Sequence, residues 1–255
     1  MSRPDLCVIF NSAAGRGQAA RRLARLRRQW GARAHFEPTQ YVGHAVELAR
    51  QAARSDFRIV AAAGGDGTVH EVANGLLLAR RPEVQFAIVP IGSANDYYAS
   101  LELEPPADPR AARLVDVGVV RGPGGPERFF VCCLGLGLNG AVTVESRKIK
   151  RLQGIALYGL ATLRALWSHY RCPRIELAIG DQPAMPVPTL MLSVLVGRRE
   201  GGFVMAPKAS LSDGWLDYVH AGELSRWEVL KFLPRLALAG PRLSTPRSSR
   251  GAAEK

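Results

Sequence analysis

The sequence has little cysteine, and its four cysteines show no spacing that is typical of a metal site or a disulfide framework. Cys7, Cys132, Cys133 and Cys172 lie mostly within apolar runs, and no Cys-x-x-Cys or Cys/His pattern joins them. This argues against a zinc site and against a disulfide-stapled secreted scaffold. We therefore expect reduced core thiols in a cytoplasmic protein.

Long hydrophobic runs are also missing. The apolar stretch at residues 6–10 is too short for a signal peptide, and no run approaches the ~18 residues of a membrane span. The composition is nevertheless 47% hydrophobic over 255 residues, which is enough for a sizeable core. We expect a protein that is soluble or binds peripherally at the inner face of the membrane.

Negative charge is scarce relative to positive charge. Lys and Arg number 34 against 22 Asp and Glu, which gives a formal net charge of +12. This balance favours acidic partners such as nucleotides, nucleic acid or an anionic membrane surface, and charge alone does not choose among them. An arginine-rich chain with much Gly, Ala and Pro can equally reflect a GC-rich genome.

The first hundred residues alternate strand-like and helix-like segments with short connections. Strand patterns cover residues 6–11, 32–36, 57–63 and 86–91, and helical patterns cover 17–30, 44–54, 69–79 and 95–101. This repeat predicts an α/β fold, a three-layer arrangement with a parallel sheet and helices on both faces. Ligands of such sheets bind at the carboxyl ends of the strands, where the turns after Phe10, Ala63 and Ile91 lie.

The pattern changes after residue 106. Short strand-like runs separated by Gly and Pro predict a second, mainly antiparallel, β-sandwich-like domain; they cover 114–120, 129–134, 175–179, 190–196 and 216–220. One helix, Ile149–Trp167, interrupts them, and basic residues crowd its start, either near lipid phosphates or as a solvated face. These basic residues are Arg147, Lys148, Lys150 and Arg151. The predicted domains are 1–110 and 111–240, followed by a disordered tail over 241–255.

An octet of mostly small and polar residues, GGDGTVHE at 64–71, follows the third predicted strand. Its glycines would let the backbone adopt positive φ and let a bulky anion approach the amides, while Asp66 adds a carboxylate. A polyphosphate is the natural ligand of such a turn. The alternative is a tight strand-to-helix turn with Thr68 as the helix N-cap.

Two further turns at strand ends carry similar chemistry. Residues 11–17 (NSAAGRG) can present free amides to an anion at a helix N-terminus, although neither a Walker loop nor a Gly-x-Gly-x-x-Gly fingerprint is present. Residues 90–96 (PIGSAND) supply a hydroxyl, an amide and a carboxylate that suit a phosphate, a ribose or a magnesium-bound water. The alternative is helix capping by Ser93 or Asn95.

In chain order, NSAAGRG, Thr39 shortly before a Gly-His-Ala segment, GGDGTVHEVANGL and PIGSANDY resemble the diacylglycerol kinase catalytic-domain family. That family includes sphingosine and ceramide kinases and bacterial lipid kinases. The resemblance continues through residues 116–118, 130–140 and 201–214 and covers about residues 5–221. It implies a nucleotide domain, a β-sandwich-like domain, and ATP in the cleft between them. The implied activity is ATP-dependent phosphorylation of a lipid hydroxyl, with diacylglycerol as the default acceptor.

The resemblance implies an ATP site formed by the three turns and Thr39. Its residues are Asn11, Ser12, Ala13, Ala14, Gly15, Thr39, Gly64, Gly65, Asp66, Gly67, Thr68, Val69, His70, Glu71 and Ser93. Asp66, Asp96 and Asp116 each lie near a strand end and are expected to come together as catalytic carboxylates, because hard oxygen ligands suit Mg²⁺. For Asp116 alone, a surface turn is the alternative.

The resemblance also implies a second, structural Mg²⁺ site in the second domain. Its metal ligands would be the Asp213 side chain and the backbone carbonyls of Ser210 and Trp215, since carbonyl ligation requires no particular side chain. A metal-free Asp-Gly turn over residues 212–214 is the alternative.

The sequence departs from the family after residue 214, because no Asp-Gly-Glu motif follows. The family uses the Glu of that motif to accept the proton of the substrate hydroxyl. We therefore expect a C-terminally truncated second domain and keep a catalytically weak or inactive nucleotide- or lipid-binding protein as an alternative. An NAD kinase-like enzyme shares the GGDG turn, but VHEVANG and SAND favour a lipid kinase. The expected partner is lipid at an anionic membrane surface rather than nucleic acid, and a homodimer stays open.

Overall fold

The computed structural model describes residues 4–12, 18–102, 112–149, 152 and 154–239. The chain forms two compact units. The first unit holds the chain up to Tyr98 together with Val119–Phe130, and the second holds Arg113–Gly118 and the chain from Val131 onward. Within the described ranges, no helix is both long enough and apolar enough to cross a bilayer. The tail predicted over 241–255 lies outside them.

The first unit alternates strands with helices in the predicted order. In chain order the elements are β1 (Leu6–Phe10), α1 (Gln18–Trp30), β2 (Ala34–Pro38), α2 (His44–Arg54), β3 (Ile59–Gly64), α3 (Asp66–Ala79), β4 (Gln85–Pro90), α4 (Asp96–Glu102), β5 (Gly118–Val120) and β6 (Arg128–Phe130). Helix α4 continues past the end of this unit. Each predicted strand and helix of the first hundred residues is present with its ends displaced by a few residues.

The first four strands form one parallel sheet in the order β2-β1-β3-β4. Leu6 of β1 pairs with Ala34 of β2 on one side and with Ile59 of β3 on the other. Strand β3 is buried on both faces, since the side chains of Ala61 and Ala62 point to opposite sides and are 1% and 0% exposed. It accordingly carries no polar side chain. The predicted parallel sheet is therefore confirmed.

Helices cover both faces of this sheet. On one face Val8 and Phe10 pack against Leu23 of α1. Helices α2 and α3 pack together, and α2 contributes four buried alanines to its covered face. They approach closely because α3 has glycine at position 75, where an added Cβ would collide with the carbonyl oxygen of Val46.

From Val131 onward, the described residues of the second unit form short strands and three helices. Its elements in chain order are β7 (Cys133–Gly137), α5 (Leu138–Lys148), α6 (Gly154–Ser168), β8 (Arg174–Leu177), β9 (Met185–Pro188), β10 (Met191–Leu195), β11 (Arg199–Glu200), β12 (Phe203–Val204), β13 (Asp217–Ala221) and α7 (Arg226–Ala239). Strand β10 is the centre of an antiparallel sheet in the order β13-β10-β7. The pairs β8–β9 and β11–β12 form antiparallel ribbons. The second unit thus has the predicted antiparallel, β-rich character.

The helix predicted over Ile149–Trp167 is wrong in its first turns. Helix α5 was not predicted from the sequence, and it ends at Lys148. Ile149 is extended, and α6 begins only at Gly154, whose φ is +58°. Arg147 and Lys148 consequently lie in the last turn of α5, where cations complement the helix dipole. Their predicted place at a helix start was therefore wrong, and Lys150 and Arg151 lie outside the described residues.

The four cysteines are free thiols, as expected from their spacing. Cys7 is 1% exposed in β1, and this burial, reinforced by the negative charge of Glu37, raises the pKa of its thiol to about 12. A thiol that stays protonated near neutral pH is a poor nucleophile, so Cys7 is a packing residue.

Candidate active site

Backbone hydrogen bonds continue past the carboxyl ends of the parallel strands. The amide of Asn11 donates to the carbonyl of Ala63 (3.1 Å), and the amide of Thr39 donates to the carbonyl of Phe10 (2.9 Å). These bonds bring the residues that follow β1, β2 and β3 to one edge of the sheet. Because β2 and β3 flank β1 on opposite sides, the edge includes the switch point where open α/β sheets bind ligands.

The turns that follow β3 and β4 touch each other through their backbones. The carbonyl of Gly64 accepts hydrogen bonds from the amides of Ile91 (3.0 Å) and Gly92 (3.1 Å). An added Cβ at Gly92 would collide with the Cα of Gly65. The two turns therefore form one continuous surface of main-chain groups with very little side-chain volume.

Gly64 and Gly65 of the GGDG turn are needed for space rather than for an unusual backbone conformation. The positive φ expected at these glycines was wrong, because Gly64, Gly65 and Gly67 all have ordinary φ values. An added Cβ at Gly64 would collide with the side chain of Thr68. Thr68 is not the helix N-cap, since Gly65 holds that position and α3 already begins at Asp66.

A positive φ does occur in the neighbouring turn, at Asn95, with φ of +54°. Its Oδ1 accepts a hydrogen bond from the amide of Gly92 (3.0 Å), and its Nδ2 donates to the carbonyl of Gly92 (3.1 Å). Asparagine tolerates this conformation better than most residues. Asn95 thus closes the turn that leads into α4. These two side-chain bonds go to Gly92 and not to an amide of α4, which the predicted helix cap would require.

The Asp66 carboxylate lies at the start of α3 and faces the start of α4. Its Oδ1 accepts a hydrogen bond from the amide of Tyr97 (3.3 Å), and the amides of Asn95 and Asp96 also favour its charged form. Burial outweighs these amides and raises the pKa of Asp66 above its ordinary value. The amides fix the orientation of this carboxylate, and burial removes part of its hydration. A bound cation would therefore stabilise its charged form.

The other two predicted catalytic carboxylates have different surroundings. Asp96 is the first residue of α4, is only 4% exposed and belongs to the same unit as Asp66. Asp116 belongs to the second unit. Across the described ranges, no three His, Cys, Asp or Glu side chains are grouped so that they could hold a metal ion. Joint action of the three carboxylates stays a prediction.

Asp116 lies beside the predicted structural metal loop. Its amide donates to the carbonyl of Leu211 (2.7 Å), and its Oδ2 accepts a hydrogen bond from the amide of Gly214 (2.7 Å). In the same loop, Oδ1 of Asp213 accepts from the amide of Trp215 (3.1 Å). The sequence-based prediction assigned Asp116 and this loop to two separate sites. In the structure, Asp116 is hydrogen-bonded to the loop.

The remaining predicted ATP-site residues differ in their exposure. Thr68 and Val69 are buried, and Glu71 accepts a hydrogen bond from the amide of Ala45 (3.3 Å), which fixes the start of α2. The exposed residues of the set are Ser12, Gly67, His70 and Ser93. Ala13, Ala14 and Gly15 lie outside the described residues.

Asn74 is a residue that the sequence reading missed. Its side-chain amide pairs with the backbone of Phe129 in β6: Oδ1 accepts from the Phe129 amide (3.1 Å), and Nδ2 donates to the Phe129 carbonyl (2.9 Å). Nδ2 also donates to the carbonyl of His70 (2.9 Å). An asparagine among apolar residues of a predicted helix was the available sequence signal. Asn74 is only 8% exposed, and buried polar side chains need partners.

Replacing Asn74 with alanine should lower the free energy of unfolding by about 1–3 kcal/mol, because two backbone groups of Phe129 lose their partner. Urea denaturation of both proteins would measure this difference. The matched control is Gln51→Ala on the exposed face of α2, which should change stability by less than about 0.5 kcal/mol. Equal effects of the two substitutions would contradict the role given to Asn74.

Comparison with protein-family models gives two matches that follow one another along the chain. The diacylglycerol kinase catalytic domain matches residues 5–121. The YegS C-terminal NAD kinase beta sandwich-like domain matches residues 133–250.

Similar proteins agree with these matches. A diacylglycerol kinase of Bacillus subtilis is 28% identical over 251 residues, which cover 93% of this chain and 80% of that protein. A probable YegS-like lipid kinase of Chromohalobacter salexigens is 30% identical over 226 residues, covering 84% of this chain and 70% of that protein. The crystal structure of a diacylglycerol kinase from Bacillus anthracis has a TM-score of 0.67 at 18% identity, covers 98% of this chain and 85% of that one, and supports the fold.

Proposed function

Because the chain belongs to the diacylglycerol kinase catalytic-domain family, we propose that it transfers the γ-phosphoryl group of ATP to a lipid hydroxyl, with diacylglycerol as the acceptor. The acceptor oxygen bonds to the γ-phosphorus, the bond from that phosphorus to the β,γ-bridging oxygen breaks, and the hydroxyl proton passes to water. The products are phosphatidic acid and ADP. The observation that supports this best is the joined set of strand-end turns at the carboxyl edge of the parallel sheet.

The ATP phosphates fit the surface formed by the turns after β3 and β4. Gly64 and Gly92 have no room for a Cβ because Thr68 and Gly65 pack directly against them, so the two turns lie close together. Phosphoryl transfer depends mainly on positioning and on stabilising negative charge, so a surface of amides at the start of α3 suits it. Asn11, Ser12, Thr39 and Ser93 would complete the site from the neighbouring turns.

Asp66 and Asp96 are the residues that would hold Mg²⁺ next to ATP, directly or through water. Carboxylate oxygens are the ligands that Mg²⁺ prefers, and Asp66 is already oriented by the amides at the start of α4. Bound Mg²⁺ would neutralise charge on the phosphates during transfer.

We assign the second Mg²⁺ to Asp213 and to the carbonyls of Ser210 and Trp215. Asp213→Asn tests this assignment, because asparagine keeps the oxygen that accepts the Trp215 amide but removes the negative charge. The wild type should gain about 3–5 °C in Tm at Mg²⁺ near ten times its Kd, and the variant should lose most of this gain. Thermal denaturation with and without Mg²⁺ measures it. Equal gains in both proteins would favour the metal-free Asp-Gly turn.

A nucleotide-binding protein without turnover is the second candidate. It needs only the ATP site at the carboxyl edge of the sheet and no group that accepts the proton of an acceptor hydroxyl. Loss of a general base typically lowers a rate by about 10²–10⁴-fold, so slow transfer is still compatible with the first candidate.

Radiolabelled ATP with a panel of lipid acceptors tests the function and its substrate together. Diacylglycerol, ceramide, sphingosine and phosphatidylglycerol would be presented in mixed micelles, and labelled products would be separated by chromatography. The proposal expects label in phosphatidic acid and at most trace label in the other products. ATP binding by calorimetry without label in any lipid would support the second candidate, and neither binding nor label would reject both.

A further inference from the structure

Helices α6 and α7 expose large apolar side chains on their outward faces. Leu163 and Trp167 of α6 are 40% and 59% exposed, and Trp227 and Phe232 of α7 are 70% and 48% exposed. We call these four side chains, together with Lys231, the α6–α7 surface. Single exposed apolar residues are common, whereas several on adjoining helices mark an interaction surface.

The two helices adjoin because their inward faces share one hydrophobic core. Ala165 and Leu166 of α6 are both 0% exposed, and Val229 and Leu230 of α7 pack against the same cluster. The inward side of each helix is therefore already used for packing. The apolar residues on the outward sides are not part of this core.

The helix ends that carry the two tryptophans meet at Tyr170. The hydroxyl of Tyr170 donates to the carbonyl of Leu224 (2.7 Å), and the guanidinium of Arg226 lies 5.1 Å from the centre of the Tyr170 ring. Trp167 lies one turn before Tyr170 along the chain, and Trp227 directly follows Arg226. These contacts hold the segment after α6 against the start of α7, so both tryptophans belong to the helix ends that adjoin this junction.

The start of α7 is fixed by a capping box. The Ser225 hydroxyl accepts a hydrogen bond from the Glu228 amide (3.3 Å), while Oε2 of Glu228 accepts from the Ser225 amide (2.8 Å) and hydroxyl (2.7 Å). Hydrogen bonding from Ser225 keeps the pKa of Glu228 below its ordinary value. At 100° per residue, Trp227 and Phe232 lie about 140° apart on α7, with Glu228 and Lys231 between them.

The charges around this surface are mainly positive. The exposed basic residues are Arg164, Arg171, Arg226 and Lys231, and the exposed acidic ones are Glu223 and Glu228. One of the two acids is already used in the capping box. Aromatic side chains interspersed with Arg and Lys are typical of helices that lie in the interface of an anionic bilayer.

We propose that the α6–α7 surface docks on an anionic lipid bilayer, with Trp167 and Trp227 at the level of the head groups and Lys231 against lipid phosphates. The choice of a bilayer as partner rests on the proposed function, because a diacylglycerol acceptor is held in a membrane. Charge complementarity favours the bilayer over a second copy of this chain, whose matching surface would carry the same positive charges.

Vesicle sedimentation with the full chain tests the proposal. The wild type should bind phosphatidylcholine vesicles that contain phosphatidylglycerol and should bind pure phosphatidylcholine vesicles weakly. Joint replacement Trp167→Ala and Trp227→Ala should weaken this binding by roughly tenfold or more. The matched control is Met185→Ala, another exposed apolar residue (55%) of the same unit, which should bind like the wild type. Equal binding by all three proteins would overturn the proposal.

Quenching by brominated lipids locates the contact without relying on a destabilised variant. Tryptophan fluorescence of the wild type should be quenched on anionic vesicles that contain brominated phosphatidylcholine. Joint replacement Trp167→Phe and Trp227→Phe should keep most of the binding and lose most of the quenching, since Trp30 packs against the core of the first unit and Trp215 lies in the loop before β13. Unchanged quenching would place another surface against the lipid and overturn the proposal.

Two further readouts separate this inference from the proposed function and from self-association. Phosphorylation of a short-chain diacylglycerol dissolved below its micelle concentration should be unchanged in the Trp→Ala variant, since no bilayer is involved. Vesicle binding without any phosphorylation would reject the proposed function and leave the docking surface supported. A dimer in light scattering that the Trp→Ala variant abolishes would instead assign the surface to a second copy and overturn the proposal.

Discussion

Asp66→Asn should lower lipid phosphorylation by at least about 100-fold while leaving the protein folded. Asparagine keeps an oxygen that can accept the Tyr97 amide, so the start of α4 stays in place. It removes the negative charge that would hold Mg²⁺ beside ATP. Initial rates with saturating ATP and diacylglycerol would measure the loss.

The same substitution should not destabilise the nucleotide-free protein at neutral pH. The pKa of Asp66 is raised in the folded state, mainly by burial. Its contribution to stability is therefore fully present below the ordinary pKa of an aspartate and is lost as pH rises through the higher folded value. At pH 7 the buried carboxylate is a net cost that asparagine removes, so Tm should be unchanged or higher in the variant.

Asp181→Asn is the matched control, because Asp181 is an exposed aspartate between β8 and β9. It should leave both the phosphorylation rate and the Tm as in the wild type. Full activity of Asp66→Asn would refute its role with Mg²⁺. Lost activity with a strongly lowered Tm would show that Asp66 supports the fold instead.

Gly92→Ala should have the largest effect on stability among single-methyl changes at the site. The added Cβ would overlap the Cα of Gly65 and lie 2.9 Å from Oδ1 of Asn95. Backbone groups cannot move aside as a flexible side chain can, so the turns after β3 and β4 would have to separate. We expect a loss of about 1–3 kcal/mol in the free energy of unfolding and a loss of ATP binding.

Gly67→Ala provides the matched control in the same pair of turns. Gly67 has an ordinary φ, and an added Cβ there meets nothing within 4 Å. Since Gly67 lies in the first turn of α3, alanine should leave stability unchanged or raise it slightly. Urea denaturation of the nucleotide-free proteins compares the two. Similar losses for both substitutions would refute the close contact between the turns.

The α/β half of the fold could be predicted because local pattern and tertiary structure agree there. Strand β3 is a continuous apolar run that reads as a strand buried on both faces, and α2 has small residues along one face and charged residues on the other. Glycines and polar residues mark the strand ends. The predicted turns therefore coincide with the carboxyl edge of the sheet.

The second unit could be predicted only in its general character. Helix α5 follows directly after Gly137, whose φ is +71°, and the preceding Gly-Leu-Gly segment carries no helix signal. Strands β11 and β12 have two residues each, which is too short for a periodicity. Their pairing depends on contacts that no local pattern encodes.

At the site, the sequence identified the turns but not the way in which they are joined. The approach of Gly92 to Gly65 and the pairing of Asn74 with Phe129 both link residues far apart in the chain. Asp116 could be chosen as an acidic residue near a strand, but its bond to the Gly214 amide depends on the fold of the second unit. Spacing in one sequence carries no information on such pairs.

The most direct test of the account is the transfer of labelled γ-phosphate from ATP to diacylglycerol by the intact chain. The amounts of labelled phosphatidic acid and of ADP are measured in the same reaction and compared. The account predicts equal amounts of labelled phosphatidic acid and ADP, both dependent on Mg²⁺ and both lost in Asp66→Asn. ATP binding with no labelled lipid, or release of ADP without phosphatidic acid, would contradict the proposal that this chain is a diacylglycerol kinase.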